Sequence, residues 1–110
     1  MNYETKTLPS GIVIENRPDI QSKQKYRWYI KNIYSLHNEG APACETCHGT
    51  KLWYQYNKQH RLDGPAVEGL PYERSYHING ICYAEKDYWN HPEVLKFKYL
   101  KEHPELEAFV

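Results

Sequence analysis

The sequence predicts a mainly β (α+β) protein, an antiparallel meander of repeated β-hairpins capped by one or two short C-terminal helices. Three observations carry that expectation. A segment running Trp53-Tyr54-Gln55-Tyr56-Asn57-Lys58-Gln59-His60-Arg61-Leu62-Asp63-Gly64-Pro65-Ala66 has an upstream relative: Trp28-Tyr29 stands 25 residues before Trp53-Tyr54, and His37, Pro42 and Ala43 each stand 23 before His60, Pro65 and Ala66. Periods of that length mark stacked supersecondary units, none of which buries its own apolar face alone. Apolar residues also alternate with period two through the first part of the chain. After Tyr83 the pattern becomes that of helices.

Taken in order, Pro9-Ser10-Gly11 followed by the β-branched run Ile12-Val13-Ile14 reads as an opening hairpin. Arg17 to Gln24 is polar, holds Pro18 and reads as a loop. From Tyr26 to Lys31, Tyr26, Trp28 and Ile30 fall on one strand face and Arg27, Tyr29 and Lys31 on the other, so one side is expected to be buried. Leu52 to Asn57 repeats the pattern, which points Trp53 to the same core as Trp28. Asn32, Asn57 and Asn79-Gly80 fall at turns, where Asn and Gly accept positive φ. Tyr76-His77-Ile78-Asn79-Gly80 is a fainter third copy.

The corner Asp63-Gly64-Pro65-Ala66 has its own mechanics. Asp can accept from nearby amides, Gly accepts φ above zero, and Pro directs the chain into the next strand. His60 or Arg61 is placed to satisfy Asp63, as His37 is to satisfy Glu39 in the preceding copy. A His and carboxylate pair that recurs in a repeat is a structural staple, because a catalytic site is needed only once.

Ala84 to Trp89 reads as a short helical turn. Pro92 to Lys101 reads as a helix with Pro at its first position and Glu93 behind it, offering Val94, Leu95, Phe97, Tyr99 and Leu100 to the sheet. Pro104-Glu105-Leu106 opens a final turn. The expected organisation is a single domain, 1–110, with hairpin repeats over 1–83 and a helical cap over 84–110.

Composition narrows function. Fourteen basic and 14 acidic side chains balance to a formal net charge of zero, which argues against affinity built on phosphate neutralisation and so against nucleic acid. Eleven tyrosines, three tryptophans and two phenylalanines make the chain rich in the residues most enriched at binding hot spots. Residues 1–8 lack the apolar stretch of a signal peptide, and no run is long enough to span a bilayer. With three cysteines, an odd number, the expectation is a cytoplasmic protein in a reducing compartment, away from membranes.

Cys44-Glu45-Thr46-Cys47-His48 matches the Cys-x-x-Cys-His pattern of covalent haem attachment. Its register within the repeat argues otherwise: Cys44 follows Pro42-Ala43 as Val67 follows Pro65-Ala66, which assigns Cys44 to Cys47 to an ordinary strand and His48-Gly49 to its turn. Zinc is the less exotic alternative, with Cys44, Cys47, His48 and His60 as donors and His37 or Cys82 as substitutes. Residues three apart in an extended strand point to opposite faces, however, so that site needs a bulge. No strand-to-helix context places Cys44 for redox work. The expectation is no metal and no cofactor.

The unit Trp-Tyr-x-x-Asn followed by His-Arg-x-Asp-Gly-Pro-Ala resembles repeats of phage and prophage-borne bacterial proteins, and is similar to MORN-type hairpin repeats. The likeness covers about residues 26 to 92 and is strongest over Trp53 to Ala66. It departs at Glu39-Gly40-Ala41-Pro42-Ala43, where Ala41 separates Gly from Pro, and at Lys58, where the pattern expects Gly. The resemblance implies a phage accessory or anti-defence factor acting in the host cytoplasm, and it carries over no catalytic residues.

The function expected is therefore a non-enzymatic binding protein that meets a host protein through an aromatic-rich sheet face. With Trp28 and Trp53 facing inward, Tyr29, Tyr54, Tyr56 and His77 are the face candidates, and Tyr56 equally fits a turn. The competing reading is a sponge for a small nucleotide, stacking bases on Tyr or Trp and neutralising phosphate with Arg61, Arg74 or Lys51. A small zinc-stabilised structural module ranks third. A homo-oligomer is compatible with all three.

Overall fold

The computed structural model describes residues 3–19, 21–69 and 71–109. Among them ten strands form: β1 (Thr5–Thr7), β2 (Val13–Asn16), β3 (Tyr26–Ile30), β4 (Cys44–Glu45), β5 (Lys51–Leu52), β6 (Tyr54–Gln55), β7 (Lys58–Gln59), β8 (Val67–Glu68), β9 (Arg74–Ile78) and β10 (Ile81–Tyr83). Eight make one antiparallel sheet in the order β1-β2-β3-β4-β5-β8-β9-β10, and β6 and β7 make a separate two-stranded ribbon. Helices α1 (Glu85–Trp89) and α2 (Pro92–Glu102) follow, then a 3₁₀ turn over Pro104–Phe109. The protein is mainly β with its principal helix near the C-terminus. No described helix is long and apolar enough to cross a membrane.

The opening hairpin forms where the turn residues place it. The Leu8 amide donates to the Ile12 carbonyl at 2.8 Å, and Gly11 takes a φ of +95° that few side-chain-bearing residues adopt. Beyond it, long strands divide their pairing. Tyr26 and Arg27 of β3 pair with β4, while Tyr29 bridges to Leu36. Arg74 and Ser75 of β9 pair with β8, whereas Tyr76 to Ile78 pair with β10. Between them β5 pairs with β4 and β8, the chain breaks at Trp53, and β6 turns back on β7.

The same backbone bonds recur along the chain. The Trp28 amide donates to Ala43 and the Trp53 amide to Ala66, each at 2.7 Å; His37 donates to Trp28 and His60 to Trp53, each at 3.1 Å. The bonds from Asn57 to Leu36 and from Gly80 to Gln59, 23 positions apart, are both 2.8 Å. The 25-residue spacing of the tryptophans against 23 elsewhere has a local cause. Residues 31–34 loop between β3 and the Leu36 bridge, whereas the corresponding turn after β6 is the pair Tyr56 and Asn57.

Turn conformations follow the sequence at Asn32, Asn57, Asn79 and Gly80, all at positive φ. Lys58 is the first residue of β7, and the two turn positions are Tyr56 (φ +49°) and Asn57 (φ +67°), so Tyr56 holds the less favourable conformation. The expected strand placement of Cys47 is corrected: β4 ends at Glu45, and Cys47 and His48 both lie in the turn that the Thr46 amide closes onto Thr50.

The core is divided. Leu8, Ile14 and Trp28 form one buried cluster, joined by Ile12 and Tyr26; Tyr76, Ile78, Tyr88 and Val94 form another, joined by Leu62 and Tyr83. The stretch between buries Leu36, Ala43, Cys44 and Ala66 together with His37 and Asn38, so apolar and polar groups share the centre. Both faces of β3 are covered, contrary to the one-sided expectation: Trp28 is 8% exposed and Tyr29 is 7%. Trp53 does not share the Trp28 cluster. It is half-buried, with the Arg61 guanidinium carbon 3.8 Å from its ring centroid.

Pro92 opens α2 and the His91 ring caps it, Nδ1 accepting from the Glu93 amide at 3.1 Å. Only Val94 of this helix is buried. Leu95, Phe97 and Tyr99, expected on the sheet, are exposed because the apolar residues wind around the axis instead of sharing one stripe.

Candidate functional site

Two kinds of polar construction stand out. The first is a set of corner staples. His37 is fully buried, and its Nδ1 accepts from the Tyr56 amide at 3.0 Å, which leaves the ring proton on Nε2, 2.7 Å from Glu39 Oε2. Ser10 donates to the same carboxylate oxygen at 2.8 Å. Burial pushes the Glu39 carboxyl up, but the bonds from His37 and Ser10 outweigh it and hold the group below the usual range. His60 repeats the first of these bonds, its Nδ1 accepting from the Asn79 amide at 3.0 Å. With Nδ1 tied to backbone, neither ring has the free pair of nitrogens that a proton relay between nucleophile and carboxylate uses.

Arg61 is the staple of the second corner. Its Nε donates to Asp63 Oδ1 at 2.8 Å and its Nη1 to the Pro65 carbonyl at 3.0 Å, while the guanidinium lies on Trp53. It lines a small pocket of about 150 Å³ with Trp53, His60, Asn38 and Phe97. Gly64 does not adopt the positive φ expected of it; a Cβ there would stand 2.8 Å from Arg61 Cζ, so a side chain at this position would require the guanidinium to move. Twenty-three residues before Arg61, Asn38 Nδ2 reaches the Pro42 carbonyl at 2.9 Å, doing for that carbonyl what Arg61 does for Pro65.

The second construction is a cleft of about 890 Å³ at the other end of the sheet, lined by Tyr3, Arg17, Asp19, Arg27, Tyr29 and Tyr34. Arg17 follows β2 and is held chiefly through Nη2 and its ring contact. Its Nη2 donates to the Ile30 and Ile33 carbonyls at 3.2 and 2.7 Å, Nε lies 3.3 Å from Glu15, and Cζ is 4.4 Å from the Tyr29 centroid. Tyr34 meets Tyr29 edge to face at 5.3 Å. The backbone of Arg27 is fixed by Asn16 Oδ1 and the Arg17 amide, at 2.9 and 2.8 Å. Its guanidinium lies 5.4 Å from the Tyr29 centroid, and Nε is buried without a hydrogen-bond partner among the described residues. On the rim, hydrogen bonds from Ser22 and the Gln21 amide hold the Asp19 carboxyl below its ordinary range.

No protein family, curated protein or solved structure matches this chain.

The structure scatters the residues singled out from sequence. Tyr29 lines the cleft but is buried. Tyr54 is half-buried in β6, and Tyr56 is exposed at the hairpin tip, its ring 4.6 Å from that of His37. His77 is half-buried in β9 with Nε2 on Ser75 Oγ at 2.9 Å; burial lowers its pKa, and Nδ1 has no partner among the described residues. Arg74 is exposed at the start of that strand, and Lys51 is exposed in β5. The zinc donors do not converge either. Cys44 is buried, with its thiol pushed up by that burial, while Cys47, Cys82 and His48 are exposed. Among the described residues no three of His, Cys, Asp and Glu meet as a metal site.

Sequence reasoning passed over Tyr3, Arg17, Arg27 and Tyr34. One signal was present: Arg27 and Tyr29 alternate onto a single face of β3, an arginine beside a ring two residues on. Arg17 gave none, since its partners come from the end of β3 and the loop after it, 13 and 16 residues away.

Proposed function

We propose that this chain is a non-enzymatic binding protein, assembled as a short run of hairpin units, and that it serves as a phage accessory or anti-defence factor in the host cytoplasm by engaging a host protein. The observation that carries this reading is the presentation of phenols at neighbouring hairpin tips. Tyr34 is 84% exposed in the loop after β3, and Tyr56 is 61% exposed in the turn after β6. The two tips are joined through the Asn57 amide on the Leu36 carbonyl. Exposed aromatic rings on a rigid backbone present area at low entropic cost, which is why such residues anchor interfaces.

The unit reading is supported by the bonds that recur 23 residues apart, and the non-enzymatic one by the commitment of the His37 and His60 Nδ1 atoms to backbone amides. The test is recovery of partners from host lysate on immobilised protein, comparing wild type with Tyr34→Ala and Tyr56→Ala. One dominant protein at near-stoichiometric amount, reduced at least about tenfold by either change without loss of thermal stability, is expected. Recovery insensitive to both changes would sink the reading.

A further inference from the structure

We infer that the cleft between Tyr3 and Tyr34 is a small-molecule site, and that it takes a planar, ring-bearing compound with one anionic group, a carboxylate or phosphate monoester, anchored on Arg27. This goes beyond the host-protein reading and does not depend on it.

The two arginines of the cleft are not equivalent. Arg17 has two carbonyls, a carboxylate and a tyrosine face around it, so it acts as scaffold for the ring of Tyr29. The Nε of each is buried without a hydrogen bond among the described residues, but that of Arg17 lies 3.3 Å from the Glu15 carboxylate, whereas Arg27 has the Tyr29 ring beside it and no side-chain hydrogen bond or ion pair among those residues. A buried guanidinium nitrogen without an acceptor is costly, and an anion entering the cleft removes that cost by accepting from it. The fork of donors suits a carboxylate or phosphate in a bidentate geometry.

Charge and shape limit the ligand further. Glu15 is tied to Arg17, and Asp19 stands on the rim with its carboxyl held in the charged form. The two carboxylates balance the two guanidinium charges, so Arg27 offers directed donors and no excess positive charge, which disfavours polyanions. Around those donors stand ring surfaces: Tyr34, largely exposed at the mouth, and Tyr3, 42% exposed. A volume of about 890 Å³ lies within the range of small-ligand sites, with room for a fused ring and its anionic group. Rings between phenols supply the apolar part of the affinity and Arg27 supplies orientation.

The experiment is calorimetric titration of the intact protein with adenosine 5′-monophosphate, adenosine, inorganic phosphate and adenosine 5′-triphosphate as probes. The monophosphate is expected to bind at least about tenfold more tightly than adenosine or phosphate alone, and no more weakly than the triphosphate. Arg27→Gln should lower its affinity about tenfold or more, and so should Tyr34→Ala, an exposed change that leaves the fold intact by circular dichroism. Arg61→Gln, far along the chain in a staple of its own, should leave binding within about twofold of wild type. Equal affinity in wild type and Arg27→Gln, or tightest binding by the triphosphate, would overturn the assignment. So would tighter binding of a phosphotyrosine peptide than of the monophosphate, since that would make the ligand part of a protein.

Discussion

The Arg61 guanidinium carbon lies where a Cβ on Gly64 would come within 2.8 Å. Because that guanidinium is held by Asp63, the Pro65 carbonyl and the Trp53 ring, a side chain at position 64 would have to displace it from all three. Twenty-three residues earlier the shorter Asn38 reaches the Pro42 carbonyl, and position 41 is Ala.

A double-mutant cycle tests this coupling. Gly64→Ala alone should destabilise by about 1–3 kcal/mol through overpacking against Arg61. Arg61→Asn alone should cost about 1–2 kcal/mol by removing the Asp63 contact and the cover over Trp53. In the double variant the costs should fall short of their sum by about 1 kcal/mol. Urea unfolding of the four proteins measures it, and strict additivity would show that the two positions vary independently.

Tyr88 pins the helices to that corner. Its hydroxyl donates to the Arg61 carbonyl at 2.6 Å and accepts from the Gly64 amide at 3.1 Å, while the ring is fully buried against Tyr76. Tyr88→Phe keeps the ring and leaves both backbone groups unsatisfied, so a loss of about 1–3 kcal/mol is expected. Denaturant midpoints for wild type and variant give the value. A difference below about 0.5 kcal/mol would mean that water replaces the hydroxyl.

Stability should fall as pH drops from neutrality. Burial lowers the pKa of His60, against a smaller opposing effect of Glu93, and burial alone lowers that of His77; both start from 6.5. A depressed histidine pKa means that the unfolded chain takes up the proton first. The contribution is therefore complete above about 6.5 and declines as pH falls through the folded-state values. Glu39, Glu45 and Asp19, all held below their ordinary range, add a second decline in the acid range. Chemical unfolding between pH 8 and 5 should show the first phase, and His60→Gln combined with His77→Gln should flatten it. A wild-type curve flat from pH 8 to 5 would contradict the burial of these rings.

Local chemistry was legible in the sequence where a residue type answers a backbone need. Pro9-Ser10-Gly11, Asn32, Asn57 and Asn79-Gly80 mark turns that form, and Pro92 opens the helix it was expected to open. The staples of His37 to Glu39 and Arg61 to Asp63 were also readable, since both pairs lie two residues apart. What could not be read was set by partners distant in sequence. Trp53 was placed with Trp28 on period alone, but Arg61 takes the space over its ring. Tyr29 alternates to the outer face as expected, yet Arg17 from another strand end and Tyr34 from the loop cover it. The cleft escaped notice for the same reason, because its walls come from four separate stretches of chain.

The separation of the two apolar clusters has a consequence for how the protein tolerates damage. Leu8, Ile14 and Trp28 close one extremity, Tyr76, Ile78, Tyr88 and Val94 close the other, and the span between is joined by backbone ladders and polar staples. A cavity opened in one seal removes no apolar contact from the other. Injury at either end is thereby contained, and the two extremities can loosen independently.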